Sequence, residues 1–468
     1  MSGDTIRDVR ATVISTAAEV LAVDSGVLAR DGELHRLPTF NSFRMVELVE
    51  RIEELLGVEA DPSGLTPETL RTVDGFCRLF ERAAGPPADP AALLEQIRPV
   101  VREHTARTDR DASFPVEALE ALRRSGLLGL LVPVRYGGLG GTTSDMLAVA
   151  GGLSRECVSV GMIYAMHCQQ VAALTGHASE ELRAALLPRV ARGELYVGSV
   201  TTEPGKGGHL LTSASPLGSD ASVLRLERMA PVVTGGAHAD GFLVSMAAPD
   251  ATSPNRVSLV YADRDQLEIT VTGGWNPLGM RATHSVPMRL AGDVPAHQVV
   301  GGPGGFRDIV LRTFAPLAHV GWAACWLGAA DGALARVVRL LRAERDRRDL
   351  GSELLLRRLS RARQHLDTVH AVLRHATGVL GDPATDVTSP PVQLLLNAVK
   401  LTASEKCPAA VDELIELTGM FHGYLRDSPL ALERTLRDLR SAPLNYSNDR
   451  LHAADGALVL MDRDVRHA

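Results

Sequence analysis

The stretch Gly198-Ser-Val-Thr-Thr-Glu-Pro-Gly-Lys-Gly-Gly208 places three hydroxyl side chains, Ser199, Thr201 and Thr202, directly ahead of a glycine-rich loop. Pro204 cannot donate to a sheet and pushes its predecessor to extended geometry, so a strand ends there. Gly205, Gly207 and Gly208 then let the backbone turn and expose its N–H groups, which suits contact with a phosphate or another anion. Two histidines sit in apolar surroundings: His167 within Met166-His-Cys-Gln169, and His319 within the run Phe314–Leu334. A histidine so placed is either a satisfied core residue or a proton acceptor matched to neutral pH.

The elements that must position these groups fall into blocks. Residues 91–124 read as helices, with Phe114-Pro115 opening one that ends near Gly126, and a helical stretch continues to about Arg192. From Leu195 to about Val300 the pattern turns to short Val/Leu/Ile-rich runs separated by turn residues, such as Gly241–Ser245 and Leu267–Thr272. From Phe306 onward it is helical again. Phe314–Leu334 contains His319 and Asp331 and is rich in alanine and glycine, so it predicts a buried bundle helix rather than a membrane span.

Composition sets outer limits. The chain has 468 residues, 45% apolar and 22% charged, enough for two or three globular units. A net charge of −7 argues against nucleic acid or an anionic membrane as the main partner. Five scattered cysteines without a Cys-x-x-Cys pair predict reduced thiols in a cytoplasmic protein, neither a disulfide framework nor a zinc site. Residues 1–85 hold nine Arg and no Lys against fifteen Asp and Glu, so nearly all the net charge lies in a small acidic head. Ala83-Ala-Gly-Pro-Pro-Ala-Asp-Pro-Ala91 reads as a linker after it.

Within the head, residues 37–57 predict an amphipathic helix with Met45, Val49, Ile52 and Leu56 on one face. Asn41 or Ser42 can cap its start and Gly57 can end it. Further helices are expected around Thr5–Ala22 and Val73–Ala83.

Taken together, Phe114-Pro115, Gly126–Pro133, Tyr136-Gly-Gly-Leu-Gly140, Gly198–Gly208, Leu278-Gly-Met-Arg281 and Arg437-Asp438 resemble, in order and spacing, the acyl-CoA dehydrogenase family. The resemblance covers roughly residues 91–468. It implies FAD, with Ser199, Thr201 and Thr202 along the flavin, Gly208 near the pyrophosphate, Thr234 on a second flavin-contacting strand (Val233–Gly236), and Gly419 as a trace of the glycine pair that meets the pyrophosphate across a subunit interface. A homodimer or homotetramer follows by the same resemblance. Val232 stands where the family places a tryptophan against the flavin, which implies a wider pocket. The family's Arg-x-Phe-Gly pattern after Leu334 is absent, leaving Arg342 or Arg345 to replace it.

Asn41-Ser-Phe-Arg-Met-Val-Glu-Leu-Val resembles the modification motif of acyl and peptidyl carrier proteins, with Asn41 in place of the usual aspartate. That resemblance implies 4′-phosphopantetheine on Ser42. A phosphodiester at a helix N-terminus is physically well placed, because free N–H groups and the dipole both favour an anion. The expected architecture is a four-helix carrier domain (1–83), a linker (84–91), a helical N-terminal domain (92–195), a middle β-barrel domain (196–303) and a C-terminal helical bundle (304–468).

The resemblance also exposes a gap. Counting from Arg437-Asp438, the family's catalytic glutamate falls on Tyr446, and the alternative position early in the first helix after the β domain has no glutamate either. Ordinary αβ-desaturation needs a carboxylate to take the α-proton. Candidates for the base are therefore His319, Asp449 and Tyr446; a tyrosine of ordinary pKa about 10 is a poor base, and histidine near about 6.5 matches neutral pH. The alternative is a bond whose proton is more acidic, such as C–O, C–N or N–N. The expected function is flavin-dependent two-electron oxidation of a small acyl, aminoacyl or hydroxyacyl thioester on the Ser42 arm, in natural-product biosynthesis. A loading ligase and a phosphopantetheinyl transferase serve as partners, and the electron acceptor is left open. The rivals are a flavin monooxygenase on the same fold and a non-catalytic platform presenting the carrier head.

Overall fold

In a computed structural model of the chain, residues 9–56, 58, 60, 62–84, 89–205, 209–220, 222–461 and 465–468 are described. The head comprises α1 (Val9–Leu21), α2 (Ser25–Asp31), α3 (Ser42–Leu56) and α4 (Val73–Ala84). Val13, Ala17, Leu48, Ile52, Phe76 and Phe80 form a core that belongs to these helices alone. On α3 the buried stripe is Leu48, Val49, Ile52 and Leu56, with Met45 only partly covered. Asn41 is its cap: the Asn41 Oδ1 accepts from Phe43 N and Arg44 N, both at 3.0 Å. Ser42 is thereby relieved of capping and stands exposed at the first helical position. Gly57, expected to end the helix, and residues 85–88 of the expected linker lie outside the described residues.

The body opens with α5 (Pro90–Asp111), capped by Asp89 and started by proline, a pairing that satisfies free N–H groups and presets φ. It continues through α6 (Val116–Arg124), α7 (Thr143–Ser154), α8 (Val158–His177) and α9 (Glu180–Ala191). Helix α8 is apolar nearly all round and is buried accordingly.

The middle strands are β1 (Val197–Val200), β2 (Gly218–Asp220), β3 (Val223–Ala230), β4 (Gly241–Ala247), β5 (Val257–Asp263), β6 (Leu267–Val271), β7 (Met288–Pro295) and β8 (Val299–Val300). They form two four-stranded sheets, β1-β4-β5-β8 and β2-β3-β7-β6, with β1 parallel to β4. The expected barrel is thus two separate sheets among the described residues, because no strand ladder joins one to the other. The β3 strand alternates strictly, sending Leu224, Leu226, Arg228 and Ala230 inward, whereas β4 and β5 are covered on both faces and read as continuous apolar runs.

The C-terminal block holds α10 (Phe306–Ile309), α11 (Ala315–Ala343), α12 (Glu353–Gly381), α13 (Pro390–Gly419), α14 (Leu432–Leu439) and α15 (Asn448–Met461). Helix α11 carries the run expected to be a buried bundle helix and packs against α7, α8, α12 and α13. Among the described residues no helix is long and apolar enough to cross a membrane. All five cysteines are buried, and none of them forms a disulfide.

Candidate active site

The hydroxyl-bearing strand is pinned at its root by His167. Val197 N donates to His167 Nδ1 (3.1 Å), and His167 Nε2 lies 2.9 Å from the Leu128 carbonyl. This pairing requires the neutral Nε2–H tautomer, and burial holds the imidazole pKa down to about 4. His167 is therefore a satisfied core histidine that ties α8 and the turn at Leu128 to β1.

Beyond β1, the Thr202 hydroxyl donates to the Val232 carbonyl (2.9 Å), bringing the segment after β3 alongside. The stretch Val233–Gly236 is a turn leading into a 3₁₀ turn rather than the expected strand, because Val233 N and Gly235 N are drawn off to Val286 O and Thr283 O. Thr234 keeps its place there: its hydroxyl joins Ser285 (3.1 Å), which donates to Thr283 (2.8 Å). Ser199, Thr201, Thr202 and Thr234 are all half-buried, and Val232 is 40% exposed among them. Hydroxyls flanking an uncovered apolar side chain fit an isoalloxazine, which needs donors at its rim and a flat apolar contact. Gly208 lies outside the described residues, and Gly419 stands on another element, at the exposed end of α13 with φ +70°.

Glu203 does work that the sequence did not reveal. It pairs with Arg228 (3.1 Å), which is wholly buried on the inner face of β3, and accepts from Ala214 N (3.0 Å) and the Ser215 hydroxyl. The pair closes the base of the glycine loop, since a buried charge persists only with a partner.

The motifs Leu278–Arg281 and Arg437-Asp438 meet each other. Asp438 Oδ1 accepts from Met280 N (2.6 Å), while Arg437 bridges Asp109 (2.7 Å) and the Leu278 carbonyl (3.0 Å). Arg281 Nε donates to the Asp109 carbonyl (2.6 Å). The end of α5, the β domain and α14 are thus fastened together, which sets where the loop between α14 and α15 emerges. Burial raises the Asp438 pKa to about 6.

That loop carries Tyr446, in a left-handed conformation (φ +52°) that a tyrosine adopts only under constraint. Its ring centroid lies 6.3 Å from that of His319 on α11. His319 is buried, 5% exposed, and burial, helped by the charge on Lys400, lowers its pKa to about 4. A hydrogen bond to the Leu396 main chain opposes that shift, and Nδ1 has no partner. With Nε2 donating to Leu396, Nδ1 presents a free lone pair. The structure therefore joins two of the three candidate bases. Asp449 is not among them: it occupies the first turn of α15, exposed, where a carboxylate favours the helix N-terminus. Arg342 and Arg345, near the end of α11, are likewise exposed.

Facing this pair from α13 is Lys400, which sequence reasoning missed. It is wholly buried, donates to the Tyr446 carbonyl (2.9 Å) and Asn448 Oδ1 (2.6 Å), and lies 5.9 Å from the Trp326 ring centroid. The signal was present: Asn397, Lys400 and Ser404 form a polar stripe at helical spacing, and His319, Trp322 and Trp326 form its counterpart on α11. Among the described residues no Asp or Glu hydrogen-bonds or ion-pairs with His319, Lys400 or Tyr446.

Residues 90–194 match "Acyl-CoA dehydrogenase, N-terminal domain" and residues 320–444 match "Acyl-CoA dehydrogenase, C-terminal domain". This chain is an acyl-CoA dehydrogenase-family flavoprotein oxidoreductase. It is 29% identical over 403 residues, 80% of its length and 90% of the relative's, to an L-evernosamine nitrososynthase of Micromonospora sp.. Among solved folds it is similar to FMN-bound TdsC from Paenibacillus sp. A11-2 (TM-score 0.72, 20% identity, covering 80% of this chain and 98% of that one). It is also similar to the prolyl acyl carrier protein oxidase AnaB (TM-score 0.68, 19% identity, covering 79% and 98%). Both family-model matches fall within the body, between residues 90 and 444.

Proposed function

We propose that the protein oxidises by two electrons a small acyl, aminoacyl or hydroxyacyl thioester carried on its own Ser42 through 4′-phosphopantetheine, with FAD in the body as acceptor. The observation that carries the oxidation is the cluster around His319, where a buried neutral imidazole lies beside Tyr446, the residue on which the family's glutamate falls by resemblance. An imidazole suits a proton on nitrogen or oxygen better than a carbon-bound α-proton, so the bond oxidised is C–N, C–O or N–N. A bound flavin would supply the two-electron acceptor. His319 Nδ1 would accept the heteroatom proton, and the hydroxyls of Ser199, Thr201, Thr202 and Thr234 would hold the flavin rim.

The head contributes an exposed serine at a helix N-terminus whose capping duty Asn41 has already taken. Similarity of the body to a prolyl acyl carrier protein oxidase supports a carrier-bound substrate. A loading ligase and a phosphopantetheinyl transferase are the implied partners, and a homodimer or homotetramer the implied assembly. The test is a visible spectrum of the purified full chain, followed by intact mass after incubation with a phosphopantetheinyl transferase. A yellow protein that gains one arm on Ser42 is expected; a colourless or unmodifiable one overturns the proposal.

A second outcome on the same site, oxygen insertion, is favoured by the similarity to a nitrososynthase and by the uncovered Val232. It would show as a gain of one oxygen that depends on dioxygen and a flavin reductase.

A further inference from the structure

We propose that Lys400 is a positioning residue of the active site: by holding the Tyr446 carbonyl and the Asn448 side chain, it fixes the junction of the α14–α15 loop with α15 and so keeps Tyr446 beside His319. Three observations converge on it. A lysine is almost never fully buried without partners, and here the partners are the Tyr446 carbonyl at the end of that loop and Asn448 at the start of α15. Asn448 is itself locked, its Nδ2 donating to Ser404 Oγ at 3.0 Å, so Lys400 and Ser404 hold the start of α15 from adjacent turns of α13. Tyr446 sits at a positive φ, a conformation that stays populated only when its surroundings impose it.

The ammonium also stands beside the imidazole. Its charge disfavours a second positive charge on His319, adding to burial in keeping Nδ1 unprotonated. The titratable groups facing Lys400 are His319 from α11 and Tyr446 from the loop, with Glu405 on its own helix; Glu405 lies 3.9 Å from His452 of α15, and Asp455 of α15 is engaged by Asn397 (2.5 Å). Burial brings the Lys400 pKa down to about 8, against the pull of Glu405, so the grip is charge-assisted at neutral pH and weakens above that value.

Two arms test this on the full-length flavoprotein. The first needs no substrate. Tryptophan emission should change with a midpoint near pH 8 as the cation beside Trp326 is lost, and the transition should vanish in Lys400→Met, Lys400→Arg and Trp326→Phe. Absence of the transition in the native protein, or its survival in Lys400→Met, overturns the proposal. The second arm rests on the function proposed above. With a substrate in hand, Lys400→Met should lower kcat by about 100-fold while KM moves by less than about threefold. Lys400→Arg, which keeps the charge and the donors, should recover most of the rate and abolish the alkaline limb of the kcat profile. Native kcat in Lys400→Met overturns the proposal. Failure to oxidise any substrate, with the emission transition intact, counts against the proposed function and leaves the positioning role standing.

Discussion

Replacing His167 with glutamine isolates a single proton in the fold. The imidazole is neutral because it is buried and because Nδ1 must accept from Val197 N while Nε2 donates to Leu128 O. Its folded pKa of about 4 lies below the unfolded value near about 6.5, so the stabilisation it contributes is complete above the unfolded value and is lost as pH falls through the folded one. Each unit is worth about 1.4 kcal/mol, and about 3 kcal/mol should disappear between pH 7 and pH 4. Glutamine offers an acceptor and a donor but does not titrate. The cost of His167→Gln should therefore be about 2 kcal/mol at pH 7, from two imperfectly remade buried hydrogen bonds, and should shrink or reverse by pH 4. Urea denaturation of both proteins across this range, followed by flavin absorbance, measures the difference directly. A difference independent of pH would refute the assignment of a neutral, bridging imidazole at the root of β1.

Asp438→Asn should show the opposite dependence. A carboxyl raised to about 6 contributes stability that is present below its unfolded pKa and lost as pH rises through 6, so the variant should gain on the native protein by about 2 kcal/mol between pH 4 and pH 7 in the same assay. Gly279→Ala should be among the most damaging small substitutions, since its Cβ would lie 2.0 Å from the Arg437 carbonyl; a loss of about 3 kcal/mol, read as a lower Tm, is expected. Asn41→Ala removes the α3 cap and should cost about 1 kcal/mol in the head alone, leaving the flavin-monitored transition of the body unchanged.

The block pattern of helices, strands and helices was legible because each block has its own period, and the buried stripe of α3 differed from the sequence reading only in exchanging Met45 for Leu48. Backbone competition was not legible. The turn at Val233–Gly236 arises because its N–H groups bond to Val286 and Thr283, residues some fifty positions away along the chain, and no local propensity encodes that. The division of the strands into two sheets was likewise invisible, since strand alternation fixes which face is buried and says nothing of which edges meet. Tyr446 was nominated by its place in the family pattern and His319 by its chemistry, and the fold put them side by side. Asp449 was nominated on the same grounds, and the fold left it in solvent. Lys400 was passed over because a lysine in a long helix reads as surface; only alignment with Asn397 and Ser404 would have marked the face on which it lies.

The most direct measurement is the intact mass of the full chain, phosphopantetheinylated and loaded with heteroatom-bearing acids, before and after turnover with an electron acceptor. Loss of two hydrogens from the acyl group is expected, abolished in Ser42→Ala and strongly slowed in His319→Gln. A yellow, fully loaded protein whose acyl group never changes mass, whatever acid and acceptor are supplied, would contradict the account.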